Sequence, residues 1–345
     1  MKSRLQIYLI TYNRRAKLEQ TLNSILAEDS PIKDYDITIL DNASTDGSSE
    51  LIQESCTKHS NLKHIRHNVN IGGNANICRA FELSTTCHKE YAWILCDDDK
   101  FDFSNWSEVE NHIKNNVDLI CVSDYIFPTA YDKEDKAYQF FQMTFVPASI
   151  FKTKCITNTV LMNMYDAILT MFQQSCLTAH IINNNGTIEV LKKPIVHNGL
   201  HFKDKVDTES LSFTRGNEDV KEILERRFCT SWILGFVNII SLLKNKNLQN
   251  ECIEAAITYK DIYGNWNNFY SCLYKDFFSF KKLNYFYEIY IKLNTNRQFG
   301  VLTYYLPFLL KKFLSTIFSL RNSDDRKQKI ITILGIKFYK KRNKK

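Results

Sequence analysis

Over its first 125 or so residues the chain alternates short apolar β-type runs with stretches of helical periodicity. That alternation restricts this part to βαβ units around a mainly parallel sheet. The strand candidates are Leu5 to Ile10, Asp36 to Leu40, Lys63 to Arg66, Tyr91 to Cys96 and Val117 to Val122. Between the first two, Leu18, Leu22, Ile25 and Leu26 recur at the spacing of one helix face. Further helices are expected from Asp46 or Ser48, and after Gly72-Gly73 with Ile77, Ala80 and Phe81 turned inward. Another is expected near Ser104, where Ser107-x-x-Glu110 reads as a capping box. The strand spacing fits an open doubly wound sheet, whose ligands bind beyond the carboxyl ends of the strands.

Downstream the pattern changes. Tyr138 to Lys152 (Phe140, Phe141, Met143, Phe145, Val146, Ile150, Phe151) reads as β, a helical stretch follows to about Ile182, and Thr187 to Leu191 and Pro194 to Val196 read as two short strands. Beyond about residue 215 nearly everything reads as helical and aromatic-rich. The fold class expected is therefore α/β, an open, mainly parallel sheet flanked by helices with a C-terminal helical extension. The expected division is an α/β domain over 1–214, a helical domain over 215–300 and a basic amphipathic tail over 301–345. Ten Gly and five Pro in 345 residues exclude collagen-like or linker-rich architectures. The net charge of +7 is uneven, because residues 301–345 hold twelve Lys/Arg against two Asp/Glu and the rest is slightly acidic. A basic tail on an acidic body does not suit a polynucleotide partner, and no nucleic acid is expected. The ten cysteines contain no CxxC pair and several sit in apolar runs, which suits free thiols in a reducing cytosol. The start of the chain does not read as a signal peptide, and its longest apolar runs are about half of the roughly 20 residues a spanning helix needs.

The sharpest chemical feature is Trp93-Ile94-Leu95-Cys96-Asp97-Asp98-Asp99-Lys100, a buried-type strand delivering three consecutive carboxylates at its carboxyl end. Two carboxylates about 4 Å apart repel by roughly 4 kcal/mol at an effective dielectric near 20, so a partner cation or a raised pKa is required. Mg²⁺ or Mn²⁺ would supply that charge, and the alternative is a solvated acidic turn. A second strand runs into Asp41-Asn42-Ala43-Ser44-Thr45-Asp46-Gly47-Ser48. Asp41 there can accept the imide N–H of a uracil ring, or Asp41 and Asp46 can cap the next helix. In Asn70-Ile71-Gly72-Gly73-Asn74-Ala75-Asn76, two glycines stand at a helix start whose N–H groups favour a phosphate or ribose, with Arg79 within reach of a pyrophosphate. No GxGxxG or GxxxxGK[ST] occurs.

Taken in order, Ile10-Thr11-Tyr12-Asn13-Arg14, the Asp41 segment, the Asn70 segment and Trp93 to Asp99 resemble the family 2 glycosyltransferases of the GT-A fold. The resemblance covers about residues 4 to 125 and continues more faintly to about 200. It implies a nucleotide-sugar donor, usually a UDP-sugar. Thr11, Tyr12, Asn13, Arg14, Asp41, Asn70, Gly72, Gly73, Arg79 and Asp97 would bind it, and Asp97, Asp98 and Asp99 would hold a divalent cation. Two alignments remain open, one pairing Asp97 with Asp99, the other placing Cys96 at the first carboxylate and Asp98 with Asp99 at the rest. The stretch from Gly186 to His197 is similar to the family's strand pair ending in a His near the diphosphate, which makes His197 a metal-ligand candidate. The alternatives, a satisfied structural His or a residue of an acceptor loop, weigh more.

The resemblance departs at the catalytic base. Where inverting members place an acidic pair before the glycine corresponding to Gly186, this chain has Phe172-Gln173-Gln174-Ser175. Asp166, Asp124 and Asp102 remain as base candidates, and Glu218-Asp219 falls out of the family's order. His59, His64 and His67 are expected to be solvated. The function implied is metal-assisted, inverting sugar transfer to a glycan or lipid-linked glycan acceptor of a bacterial-type surface polysaccharide. It would take place in the cytoplasm at the inner face of the membrane, reached through the basic tail. Alternatives are a sugar nucleotidyltransferase and a non-catalytic nucleotide- or glycan-binding relic of the same fold. For the tail, a helix beginning near Pro307 could lie in a membrane interface or pack as a terminal helix.

Overall fold

The computed structural model describes residues 2–123, 135–168, 172–197 and 238–258, and the strands over 318–322, 328–333 and 336–341. The chain divides into two units, Met1–Leu283 and Asn284–Lys345. In the first, β1 (Leu5–Thr11), β2 (Asp36–Asp41), β3 (Leu62–Arg66) and β4 (Tyr91–Cys96) form the parallel part of the sheet. A two-residue β5 (Lys100–Phe101) follows, then β6 (Leu119–Cys121), β7 (Ser149–Lys152), β8 (Ile188–Val190) and β9 (Val196–His197). The helices are α1 (Arg15–Ile25), α2 (Ser48–Lys58), α3 (Gly73–Ser84), α4 (Trp106–Lys114), α5 (Lys136–Gln142), α6 (Asn158–Asp166), α7 (Ser175–Asn183) and α8 (Lys246–Thr258).

Seven strands make one sheet in the order β3-β2-β1-β4-β7-β6-β8, with β7 antiparallel to both neighbours and the other pairings parallel. β1 and β4 read as continuous apolar runs because helices cover both faces of the sheet. Leu5, Ile7 and Leu9 meet Leu18, Leu22 and Ile25 of α1 and Trp106, Val109 and Ile113 of α4. Tyr8 and Ile94 turn to the other face, where Phe81 of α3, Phe140 and Phe141 of α5, Met164 of α6 and Leu177 of α7 close the second core. Trp93 is fully buried, stacks on Trp106 at 5.9 Å and donates its indole N–H to the Pro147 carbonyl at 2.9 Å. Leu248 and Cys252 of α8 belong to that second core, so part of the helical stretch beyond residue 215 packs directly onto the α/β body.

Three local expectations are corrected. The aromatic run at Tyr138 to Gln142 is helix α5 and only Ser149–Lys152 is strand. Asp135 decides this, because its carboxylate accepts from Ala137 N at 2.7 Å and starts a helix that buries Phe140 and Phe141 together. Ser107 lies inside α4, which follows a 3₁₀ turn over Phe103–Asn105. In the second unit, β10 (Phe318–Asn322), β11 (Gln328–Ile333) and β12 (Ile336–Lys341) form an antiparallel meander where a helical tail was expected. The β-branched run Ile330-Ile331-Thr332-Ile333 favours strand over helix there. The helix start expected at Pro307 lies outside the described residues.

Candidate active site

The parallel register places Thr11 opposite Asp41, and Ile10 opposite Cys96, so the last residues of β1, β2 and β4 form one row at the sheet's carboxyl edge. Asp97 continues β4 into that row and is nearly inaccessible to solvent. Its Oδ2 accepts from the Thr11 hydroxyl at 2.7 Å, its Oδ1 from Arg14 Nη1 at 3.0 Å, and its carbonyl from the Thr21 hydroxyl at 2.9 Å. The same Arg14 nitrogen donates to Asp98 Oδ2 at 3.0 Å. Asp99 turns back on its own chain, its Oδ2 accepting from Cys96 N at 2.9 Å. Burial pushes the Asp97 carboxyl up to about 6 although Arg14 opposes it, and burial with Asp98 nearby holds Asp99 well above the usual carboxylate range.

Asp41, at the end of β2, is fully buried. Its Oδ1 accepts from Ser44 N at 2.8 Å, while Oδ2 has no hydrogen-bond partner among the described residues and faces Arg66 Nε at 3.4 Å and His64 Nε2 at 3.6 Å. Burial opposes ionisation of Asp41, but His64 and the Ser44 amide outweigh it and hold the carboxyl below its ordinary value. The expectation that His64 is solvated is corrected: it is packed on β3 beside Asp41, because the β2–β3 register sets it against that carboxylate. His67 likewise has a partner, the Asn76 amide oxygen at 2.9 Å. Asn13, with φ +48°, donates its N–H to Ser44 Oγ at 3.0 Å and accepts from Thr45 N at 2.7 Å, tying the first turn to the second. Half-buried Tyr12 lies between these residues in the same turn. Asp46 accepts from Ser48 N at 3.1 Å and Arg15 N at 2.9 Å, the capping role open to it in the sequence.

The glycine motif closes the row. Asn42 donates to Asn70 Oδ1 at 2.8 Å and accepts from Ile71 N at 2.9 Å, and Asn70 Oδ1 also accepts from Gly72 N at 2.8 Å. Gly72 has φ +91°, a conformation that side chains rarely adopt, and from it Gly73 opens α3. Arg79 lies two turns along α3 and pairs with Glu82 at 2.6 Å, so the structure does not bring it to the acidic turn.

The base candidates do not gather at this row. Asp102 accepts from Ser104 N at 3.0 Å and pairs with Lys193 at 3.2 Å, and these hold its carboxyl down at about 2. Asp166 is exposed at the last turn of α6. Asp124 and Glu218-Asp219 lie outside the described residues. Gln173 and Ser175, in the stretch where an acidic pair was sought, are fully buried at the start of α7, and Gln173 Nε2 lies 3.5 Å from the Asn74 amide oxygen in α3. His197 pairs in β9 with Lys100 of β5, which puts its backbone next to the acidic turn, and its side chain is exposed.

As a set of hard oxygen donors with one guanidinium against three carboxylates, the turn suits a divalent cation. In the arrangement seen, Arg14 occupies the position of counter-charge, and among the described residues no group of three His, Cys, Asp or Glu side chains converges to hold a metal. Sequence reasoning missed Thr21, Asn42, His64 and Arg66, whose partners lie across strand registers that sequence spacing alone does not reveal.

An open, mostly parallel sheet with an acidic turn and a buried Asp at its aligned carboxyl ends defines a GT-A type α/β protein. The model of glycosyl transferase family 2 matches residues 6–178, half of the chain, and the chain belongs to that family. It is 31% identical over 110 residues to abequosyltransferase RfbV of Salmonella typhimurium, covering 32% of each chain. It is 25% identical over 175 residues to poly(ribitol-phosphate) beta-N-acetylglucosaminyltransferase TarP of Staphylococcus aureus, covering 50% of each. The matched stretches thus span half or less of these relatives. The structure of S. aureus TarS 1–349 in complex with UDP-GlcNAc is 16% identical, with a TM-score of 0.44 over 79% of this chain and 92% of that one.

Proposed function

We propose that the protein transfers a glycosyl unit from a nucleoside diphosphate sugar, UDP-linked, to a hydroxyl of a bacterial surface glycan such as lipopolysaccharide or capsule, with inversion. The observation that carries this reading is the row formed by Thr11, Asp41 and Asp97 to Asp99 at three aligned strand ends. Asp41 offers Oδ2 to the imide N–H of the base. That acceptor is buried without a hydrogen bond, so a base lacking the donor leaves it unpaired, at a cost of about 1–3 kcal/mol. His64 and Ser44 hold it ionised, and the first-turn N–H groups of α3 after Gly72 face the anionic part of the donor. Asp97, Asp98 and Asp99 would hold Mn²⁺ or Mg²⁺, with His197 alongside; when bound, the cation neutralises charge on the leaving diphosphate. The acceptor proton requires a base. Asp102 is a poor one, because its partners stabilise the carboxylate and weaken it as a proton acceptor, which leaves Asp166 and Asp124.

Gln173 and Gln174 supply the specific observation for a second reading, a non-catalytic nucleotide-binding relic, since neither side chain can take a proton at neutral pH. A screen of nucleotide release from UDP-, GDP-, CDP- and dTDP-sugars, with and without Mn²⁺, separates the two. Turnover of a UDP-sugar with Mn²⁺ is expected. Absence of turnover with every donor favours the relic, and preference for a base without the imide N–H removes the role given to Asp41. Peripheral membrane contact through residues 301–345 belongs to the same proposal, the acceptor being lipid-linked and the site on the cytoplasmic face. Vesicle co-sedimentation with and without those residues tests it, and equal binding by both forms refutes it. Among the described residues no helix is long and apolar enough to cross a membrane.

A further inference from the structure

We propose that Arg14 is an exchangeable counter-ion of the acidic turn: it holds Asp97 and Asp98 in the metal-free protein and competes with a divalent cation for those two carboxylates. The inference rests on the reading of the acidic turn as the cation site and concerns what occupies that turn beforehand. A single nitrogen, Arg14 Nη1, lies 3.0 Å from both Asp97 Oδ1 and Asp98 Oδ2. The contact is built in by the backbone. Asn13, at φ +48°, turns the chain sharply after β1, and Arg14 follows as the N-cap residue of α1, above the end of β4. Thr11 fixes the other oxygen of Asp97, and Thr21 fixes its carbonyl.

The exchange follows from the chemistry of the partners. A hard cation takes carboxylate oxygens at about 2.0–2.6 Å, so it cannot take Asp97 Oδ1 or Asp98 Oδ2 beside the guanidinium without like-charge repulsion in a site nearly closed to water. A lysine could relieve that repulsion by losing its proton, but a guanidinium keeps its charge in proteins. Arg14 must therefore move for the metal to enter. The side-chain exposures allow it, since Arg14 is 19% exposed while Asp97 and Asp98 are 3% and 8% exposed. The guanidinium has a way to solvent that the carboxylates lack.

The test titrates Mn²⁺ calorimetrically into the metal-free protein and its Arg14→Met and Arg14→Lys variants, with no donor present. Arg14→Met is expected to bind Mn²⁺ about tenfold more tightly than the native protein, with Arg14→Lys between them. Equal affinity in the native protein and Arg14→Met, weaker binding in Arg14→Met, or no binding by any form overturns the proposal. Should Arg14→Met fail to fold, the Arg14→Lys comparison carries the test. A second measurement then follows the arginine Nε–H resonances of the native protein as diamagnetic Mg²⁺ is added. The resonance missing from Arg14→Lys is expected to shift, and its remaining unchanged at saturation overturns the proposal. Because no donor is used, the donor screen judges the transfer reading separately.

Discussion

At the carboxyl ends of β1, β2 and β4 most polar side chains are matched to one another, Asp41 Oδ2 excepted, whereas at the start of α7 Gln173 and Ser175 keep buried atoms unmatched. Asp97 has Thr11 and Arg14, and Asn42 has Asn70 and Ile71. Gln173 Oε1 and Ser175 Oγ, by contrast, have no hydrogen-bond partner among the described residues although both residues are fully buried. Thr11, Thr21, Asn42 and Asn70 hold the backbone and carboxylates of the first region in place before any ligand arrives, with Arg14 as its exchangeable partner. The second carries polar atoms whose desolvation is uncompensated within the described residues, the arrangement expected where a ligand completes the bonding.

The largest effect should come from breaking the matched side. Asp97→Ala removes one of the carboxylates that Arg14 pairs with and leaves the Thr11 hydroxyl without the acceptor described for it. Removing one partner of such a buried pair costs about 3–5 kcal/mol. Urea denaturation of the metal-free protein measures it, and a loss below about 1 kcal/mol would show that the network contributes little to the fold.

The pH dependence of the same carboxylate sharpens the contrast. Its folded-state pKa, about 6, is above the ordinary value of 3.8, so the folded protein takes the proton more readily than the unfolded chain does. The resulting stabilisation is fully present below 3.8 and is lost as pH rises through about 6. Relative to Asp97→Asn, the metal-free native protein should therefore gain stability as pH falls from 7.5 to 5. Parallel melting curves across that range would exclude the buried ionisation. Asp102 behaves oppositely. Its depressed carboxyl contributes above 3.8 and loses that contribution only as pH falls through about 2, outside the range in which Asp97 titrates.

A smaller effect is expected from Asn42→Ala, which frees Ile71 N, leaves Asn70 Oδ1 with only the Gly72 N–H among the partners described, and uncouples the β2 turn from the glycine motif. The expected loss is about 1–3 kcal/mol, accompanied by weaker nucleotide binding. Unchanged UDP affinity, measured by calorimetry, would mean that the glycine motif holds its shape without the turn.

These contrasts also explain how far the sequence could be read. Tyr91 to Cys96 was legible to the residue, because a strand buried on both faces is a continuous apolar run and the acidic turn ends it abruptly. Asp41 and the glycine motif were legible because each is a contiguous segment at a strand or helix end. Arg14 was visible as a candidate, but its pairing with Asp97 spans 83 positions and depends on β1 lying beside β4. His64 and Arg66 looked solvated or unremarkable, and only the β2–β3 register, Ile39 opposite His64 and Asp41 opposite Arg66, sets them against the carboxylate. Phe140 and Phe141 misled because paired aromatics suit a strand as well as a buried helix, and the deciding signal was a single cap, Asp135. The base was not legible at all, since Gln173 and Gln174 stand where the family pattern puts carboxylates.

The smallest expected change in stability, at Gln173, discriminates best between the two regions. Gln173→Met keeps the length of the side chain and removes an oxygen that has no partner. The only bond it gives up among those described is the long one from Nε2 to Asn74, at 3.5 Å, and Asn74 keeps its own donation to the Ile168 carbonyl at 2.6 Å. Folding stability should therefore change by less than about 1 kcal/mol in either direction, because an unpaired buried acceptor is replaced by an apolar group of similar shape. If the unmatched oxygen instead awaits a hydroxyl of the sugar or acceptor, turnover falls while the melting temperature stays, and kcat/KM separates the two roles. A stability loss above about 2 kcal/mol would show that the oxygen already has a partner and that the α7 start is as matched as the strand ends. Unchanged turnover together with unchanged stability would leave Gln173 as core and move the search for the acceptor site away from α7.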